Sequence, residues 1–241
     1  AALGRTEWLD LAAETFAAAK EKFGRDGRLI HAARGDVAGD QGFALDYAAM
    51  IHGALGLVAA GVGDRQALLG DAALWCETLA RHHRAPSGGL YWTADDAPAL
   101  IVRPDTPSDE AVPNANGLMV KNLATLWALT GDDRYEAEAR QILRAHARAA
   151  AGNVFSCTSL FLGFDQLQNF ATVTAKGAPE LLDAVRRSGH PAAIAVDVPP
   201  KNSPAETVSL PDGTAVVCRG GTCSLPIDNP DDIVAELWKP L

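Results

Sequence analysis

Several residues are of types that do chemistry on hydroxyl-bearing ligands, and they crowd into two stretches of the chain. Asp46 and Tyr47 stand side by side at the start of an apolar run. Arg103, Asp109, Glu110, Asn114 and Asn116 follow within one long polar stretch, preceded by Tyr91 and Trp92. Carboxylates and amides offer the paired acceptors and donors that sugar hydroxyls need, and aromatic faces pack against sugar rings. Asp46, Asp109 and Glu110 are therefore the candidate catalytic carboxylates. Tyr47, Tyr91, Trp92, Arg103, Asn114 and Asn116 are the candidate substrate-binding residues. Glycoside hydrolysis would require two of the carboxylates about 5–10 Å apart across one bond. The plainer reading makes Asp46 a helix cap and the Arg103 stretch a solvated loop with an internal Arg–Asp pair.

Other candidates are weaker. Cys218 and Cys223 flank Arg219 and two glycines. A neighbouring guanidinium lowers a thiol pKa, which allows a redox role, but two sulfurs are too few for a zinc site. The alternative is a packed turn at a strand end. None of the six histidines has metal-ligand spacing with a third ligand. His52 reads as a satisfied core histidine, and the His82–His83 pair as cations at a helix C-terminus. Gly220-Gly221 lacks the lysine and following helix of a phosphate-binding loop. No cofactor and no metal are expected.

The elements that must position these residues are mainly helices. Thr6 caps a first helix to about Phe23, with Leu9, Ala12, Ala13, Phe16 and Phe23 on one stripe. A glycine-rich turn and loop runs from Gly24 to Gln41. Phe43 to Val62 is almost free of polar side chains, which marks a helix buried on most sides. Asp64 caps a wet helix to about Arg84, with Leu68, Ala72, Trp75, Cys76 and Leu79 inward. A long loop from Pro86 to Pro113 contains two apolar pieces, near Leu90 and near Ile101, that could pair as a hairpin. A second apolar helix spans Asn116 to Thr130, and Asp132 caps another wet helix to about Ala151. The Gly-Asp punctuation at 63–64 and 131–132 gives a repeat of about 68 residues. Short dry-to-wet turns and long wet-to-dry loops place the loops at one end, as a rim around a mouth requires. An up-down bundle uses the same helix count.

After Gly152 the pattern changes. A last helix over Phe155–Phe170 precedes strands at Ala171–Ala175, Ala192–Val198 and Thr214–Cys218, with helices at Pro179–Ser188 and Pro230–Trp238. The expected fold is thus mainly α. Helical hairpins of an α/α toroid occupy residues 1–170, and a small α/β region occupies 171–241.

The 241 residues carry a formal net charge of −9 and 48% hydrophobic residues. An acidic surface argues against nucleic acid as partner, and no apolar run approaches the ~20 residues that span a bilayer. With sparse cysteines, a cytoplasmic location is the default. The start lacks an initiator Met and a secretory signal, so the chain reads as the tail portion of a larger protein.

A set of ordered strings extends this reading. They are Leu45-Asp46-Tyr47-Ala48, Gly88-Gly89-Leu90-Tyr91-Trp92-Thr93-Ala94-Asp95-Asp96-Ala97 and Ala99-Leu100-Ile101-Val102-Arg103-Pro104. Then come Asp109-Glu110-Ala111-Val112-Pro113, Asn116-Gly117, Thr130-Gly131-Asp132-Asp133-Arg134-Tyr135 and Val217-Cys218-Arg219-Gly220-Gly221-Thr222-Cys223-Ser224-Leu225-Pro226. From about Thr6 onward they resemble the C-terminal half of the thioredoxin-domain-containing proteins of the spermatogenesis-associated protein 20 type. The resemblance implies an upstream thioredoxin-like domain and an (α/α)6 toroid similar to N-acylglucosamine 2-epimerases and six-hairpin glycosidases. It implies a carbohydrate ligand, epimerase-like or glycosidase-like conversion, and a flank covered by the missing upstream part or by a second copy. The alternative is a non-catalytic scaffold serving a thioredoxin-like domain. Two strings depart from the family pattern. Leu45 stands where an acidic residue is usual, and Pro113-Asn114-Ala115-Asn116 replaces Pro-Ser-Gly-Asn.

Overall fold

The computed structural model describes residues 5–35, 37–196, 199 and 204–239. Helix α1 (Thr6–Phe23) leads into two short hairpins, β1 (Gly24–Arg25) with β2 (Arg28–Leu29) and β3 (Ala33–Arg34) with β4 (Val37–Ala38). These replace the plain loop expected there. Helices α2 (Ala44–Ala60) and α3 (Arg65–His82) form one antiparallel pair, and α4 (Ala115–Thr130) and α5 (Asp133–Gly152) the next. The turns between them are built alike. Gly61 and Gly131 take left-handed backbone at φ 72° and 68°, ending the apolar helix, and Asp64 and Asp132 cap the wet one.

The expected helix over 155–170 is broken in two. A 3-10 turn at Val154–Cys157, capped by Asn153, precedes α6 (Thr158–Asn169). Thr6 opens α1 without capping it; Arg5 holds the cap position, and its side chain pairs with Glu7 rather than capping the helix backbone. The apolar pieces near Leu90 and Ile101 do not pair as a hairpin. Residues just past α3 take the edge first: Tyr91 N–H donates to His83 O and Ala85 N–H to Gly89 O. Leu90 thus bridges to Arg84, and Ile101 is left fully exposed.

Helix α4 is the most enclosed, between α2 and α6 and backed by α5. Met119, Val120, Leu123, Ala124 and Leu126 are buried. Contact with α6 is close because Gly117 and Gly163 meet there. A β-carbon on Gly163 would lie 2.9 Å from Gly117 O, so no larger residue fits. Helix α1 is less committed. It packs through Phe16, whose ring meets Trp75 edge-on at 6.2 Å, yet none of its residues is fully buried.

The rest is a four-stranded mixed sheet with strand order β6-β5-β7-β8. Strand β5 (Ala171–Lys176) pairs in parallel with β6 (Ala193–Val196) across the connecting α7 (Pro179–Arg187). It pairs antiparallel with β7 (Thr214–Arg219), which turns back into β8 (Thr222–Cys223). The short helix α8 (Pro204–Thr207) and the closing α9 (Pro230–Leu237) complete the region. Strand alternation splits the sheet's two faces. Val173 and Val217 share a core with Leu181, Leu182 and Val185 of α7 and Ile233 and Leu237 of α9. Ile194 and Val196 point the other way, into the core of the helical layer. Arg186 donates to Ala59 O, anchoring α7 at the C-terminal end of α2. The chain is therefore mainly helical with a small sheet region near its C-terminus. Among the described residues, no helix is long and apolar enough to cross a membrane.

Candidate functional site

The N-termini of α2 and α4 open on the same side. Leu45 and Asn114, Ala115 and Asn116 line one cavity of about 110 Å³, together with Leu90, Trp92, Pro104, Thr106, Ser108, Glu110, Val112 and Pro113. The long loop between α3 and α4 arches over these helix ends. Its shape is set by the polar residues that sequence reasoning offered to a ligand, and most of them are spent on it.

Asp109 is the clearest case. Its Oδ1 accepts from Asn114 N at 2.7 Å and from Ser159 Oγ, and its Oδ2 accepts from Ser159 N at 2.8 Å. One carboxylate thus caps α6 and pins the entry to α4, where the helix dipoles favour negative charge. Asn114 caps α4 by accepting from Asn116 N and donates to Ser108 O. Asn116 is buried; its amide accepts from Leu90 N and donates to Leu90 O and Thr106 O.

Arg103 forms no ion pair with an aspartate in the loop. It donates to His82 O and Thr93 O and stacks on Tyr91 at 4.2 Å, which turns Tyr91 to packing. Tyr47 is fully buried rather than facing the rim. Its hydroxyl accepts from Leu29 N at 3.0 Å, and its ring meets His83 edge-on. Asp46 Oδ2 accepts from Phe43 N and from His31 Nδ1, at 2.8 and 2.9 Å.

What remains free is short. Trp92 is 47% exposed, its ring braced edge-on by Phe43 at 5.8 Å. Glu110 is exposed, and its carboxylate has no hydrogen-bond or ion-pair partner among the described residues. The Ser108 hydroxyl shares the cavity with them, and so does that of Thr106, whose oxygen accepts from Ser108 N at 3.2 Å and whose proton is still to be placed. Trp92 and Glu110 stand out in the sequence by type, whereas Thr106 and Ser108 do not, since lone hydroxyls in a loop carry no signal of their own.

The histidines also differ from expectation. His83 is wholly buried, with Nδ1 on Tyr91 O; burial pushes its pKa down to about 4, so it is neutral and no cation for the helix end. His52 is not a core residue. It sits on the open face of α2, with Nδ1 3.0 Å from Oδ1 of buried Asn122. His82, Asp95 and Asp96 lie close enough to share a cation, yet Asp96 already takes both arms of Arg28, whose guanidinium holds that carboxyl down to about 2. Cys218 and Cys223 face each other across β7 and β8 as a disulfide, while Cys76 and Cys157 are free and buried.

No protein-family model matches the chain, and a comparison with curated protein sequences finds no relative.

Proposed function

We propose that the helical layer is part of an α/α toroid whose mouth binds a carbohydrate, as in the thioredoxin-domain-containing proteins the sequence resembles. The observation that carries this reading is the set of groups still able to bond around one cavity. Trp92 offers an apolar face for a sugar ring, Glu110 a charged acceptor, Ser108 a hydroxyl that donates or accepts, and Thr106 a hydroxyl proton, its oxygen already accepting from Ser108 N. Such a set suits recognition better than two-carboxylate hydrolysis, because Asp109 is committed to two helix ends and Asp46 to Phe43 N and His31.

Titration of D-glucose, D-mannose, N-acetyl-D-glucosamine, maltose and cellobiose into the protein, followed by thermal shift and by the Trp92 indole NMR signal, tests it. At least one sugar should raise Tm and move that signal. Trp92→Ala and Glu110→Gln should each weaken binding about tenfold, roughly 1.4 kcal/mol. If all five sugars leave both readouts unchanged, the carbohydrate reading falls.

One patch favours a partner on the flank. Phe155, Phe161, Leu162 and Phe164 are exposed near the N-terminus and along the outside of α6, and a groove beside them is lined by Leu143, Ala147 and Ala151. We read it as the face that an upstream segment or a second copy covers. Sedimentation of the chain as a monomer at all concentrations would count against the second copy.

A further inference from the structure

Below the rim, α2 and α4 present open faces that the loop does not use. On α2, Leu45, Ala49, His52 and Gly56 recur at three or four residues and share one face. Leu45 lines the rim cavity, and His52 lies two turns, roughly 10 Å, further along. Ala49 between them is small and exposed, and a β-carbon added at Gly56 would meet nothing within 4 Å. The matching face of α4 carries half-buried Leu118, Lys121 and Thr125. Lys121 is the one charged side chain on these two faces. No carboxylate pairs with it among the described residues.

His52 is held in one state. The Asn122 amide nitrogen donates to Ala48 O at 2.8 Å and lies 3.7 Å from Met119 Sδ, which fixes the orientation of the amide. Its oxygen therefore faces His52 Nδ1, and an amide oxygen only accepts. The proton must sit on Nδ1, leaving a lone pair on Nε2 at the exposed side of the ring. Burial of part of the ring lowers the His52 pKa, the Asn122 hydrogen bond raises it, and the Lys121 ammonium lowers it again; the balance lies below the ordinary value, so that lone pair persists at neutral pH.

We propose that the floor of the mouth selects an anionic monosaccharide, a sugar acid, with Lys121 pairing its carboxylate and His52 Nε2 accepting a hydrogen bond from one of its hydroxyls. Asn122 is the positioning residue. The inference rests on the carbohydrate reading of the rim and names the class of sugar. An uncharged sugar leaves the lone ammonium of these faces without a partner. An acid lacking hydroxyls leaves Nε2 unused.

The test compares sodium D-glucuronate with D-glucose, titrated into isotope-labelled protein with the His52 ring nitrogens observed. In the free protein the Nδ1-protonated tautomer is expected, and Asn122→Ala should remove that preference. Glucuronate should bind about tenfold more tightly than glucose and move the Nε2 signal. Lys121→Met should bring glucuronate down to the affinity of glucose while leaving glucose unchanged. His52→Gln, which keeps a donor toward Asn122, should weaken both. His52 and Lys121 lie on open faces, so these two variants give an answer even where Asn122→Ala fails to fold. Equal affinities that Lys121→Met leaves equal would overturn the anionic assignment and leave the carbohydrate reading standing. Binding that leaves the His52 signal unmoved, or an Nε2-protonated ring in the free protein, would overturn the role of His52. No binding of either sugar overturns the inference together with the reading beneath it.

Discussion

The loop over the helix ends and the open faces beneath it use polar residues in opposite ways. In the loop, Asp109, Asn114, Asn116 and Arg103 are rich in chemistry by type but are occupied with backbone groups, with a serine hydroxyl or with a tyrosine ring. On the open faces, polar residues are few, yet His52 and Lys121 each keep an atom free. A long irregular loop carries many backbone donors and acceptors that no ladder satisfies, so its side chains are drawn into satisfying them. A regular helix satisfies its own, so a polar side chain on its open face is not drawn to backbone; Asn122, on the packed side of α4, is spent across the helix interface instead. Residue type therefore misleads where backbone is irregular and informs where it is regular.

The largest effect that would break this comparison is at Asp109. If it were a catalytic group, its removal would spare stability. As the cap that ties α6 to the entry of α4, its loss should cost roughly 2–4 kcal/mol, about one cap at each of two helix ends. Asp109→Ala is expected to lower Tm by several degrees, measured by calorimetry. An unchanged Tm would place Asp109 with the spare residues.

The next effect is in pH. His83 has a folded pKa of about 4, below the ordinary value near 6.5, because it is buried. The unfolded chain therefore binds a proton that the folded one refuses. Stability from this group is whole above pH 6.5, declines as pH falls, and is lost by about pH 4, a change of roughly 3 kcal/mol. Urea unfolding at pH 7.5 and pH 5 reads the slope, and His83→Gln should flatten it. A slope that survives the substitution would mean that other histidines carry it.

A smaller loss is expected at Asn116. Replacing it by Ala leaves Leu90 N–H and C=O and Thr106 O without the partner they have now, costing roughly 1–3 kcal/mol. Urea midpoints with unchanged m-values would measure it.

How much of this could be read from the chain follows the same division. The alternation of apolar and wet helices, the Asp64 and Asp132 caps and the change of character after Gly152 all depend on neighbours a few residues apart, and periodicity exposes them. The Asp109–Ser159 bonds span 50 residues, and Asn122 reaches Ala48 across 74 and His52 across 70. No local pattern encodes such distances. The sequence suggests a cation at a helix end for His83, because its burial depends on Tyr91 turning back over it. The apolar helix around His52 suggests a core residue, whereas its face is open in the fold.

The smallest expected effect is the most telling about the rim. Glu110 shares its string with Asp109, and by type the two are equivalent. Asp109 accepts three hydrogen bonds; the Glu110 carboxylate accepts none among the described residues. Glu110→Gln should therefore leave Tm within experimental error while weakening sugar binding, as substitutions on exposed surface rarely exceed about 0.5 kcal/mol. Glu110 and Asp109 would then separate, adjacent in sequence, into a group available to ligand and a group that builds the site. A drop in Tm at Glu110 would erase that separation, because it would mean that the rim has no spare carboxylate and that recognition must rest on Trp92 and the groups below it.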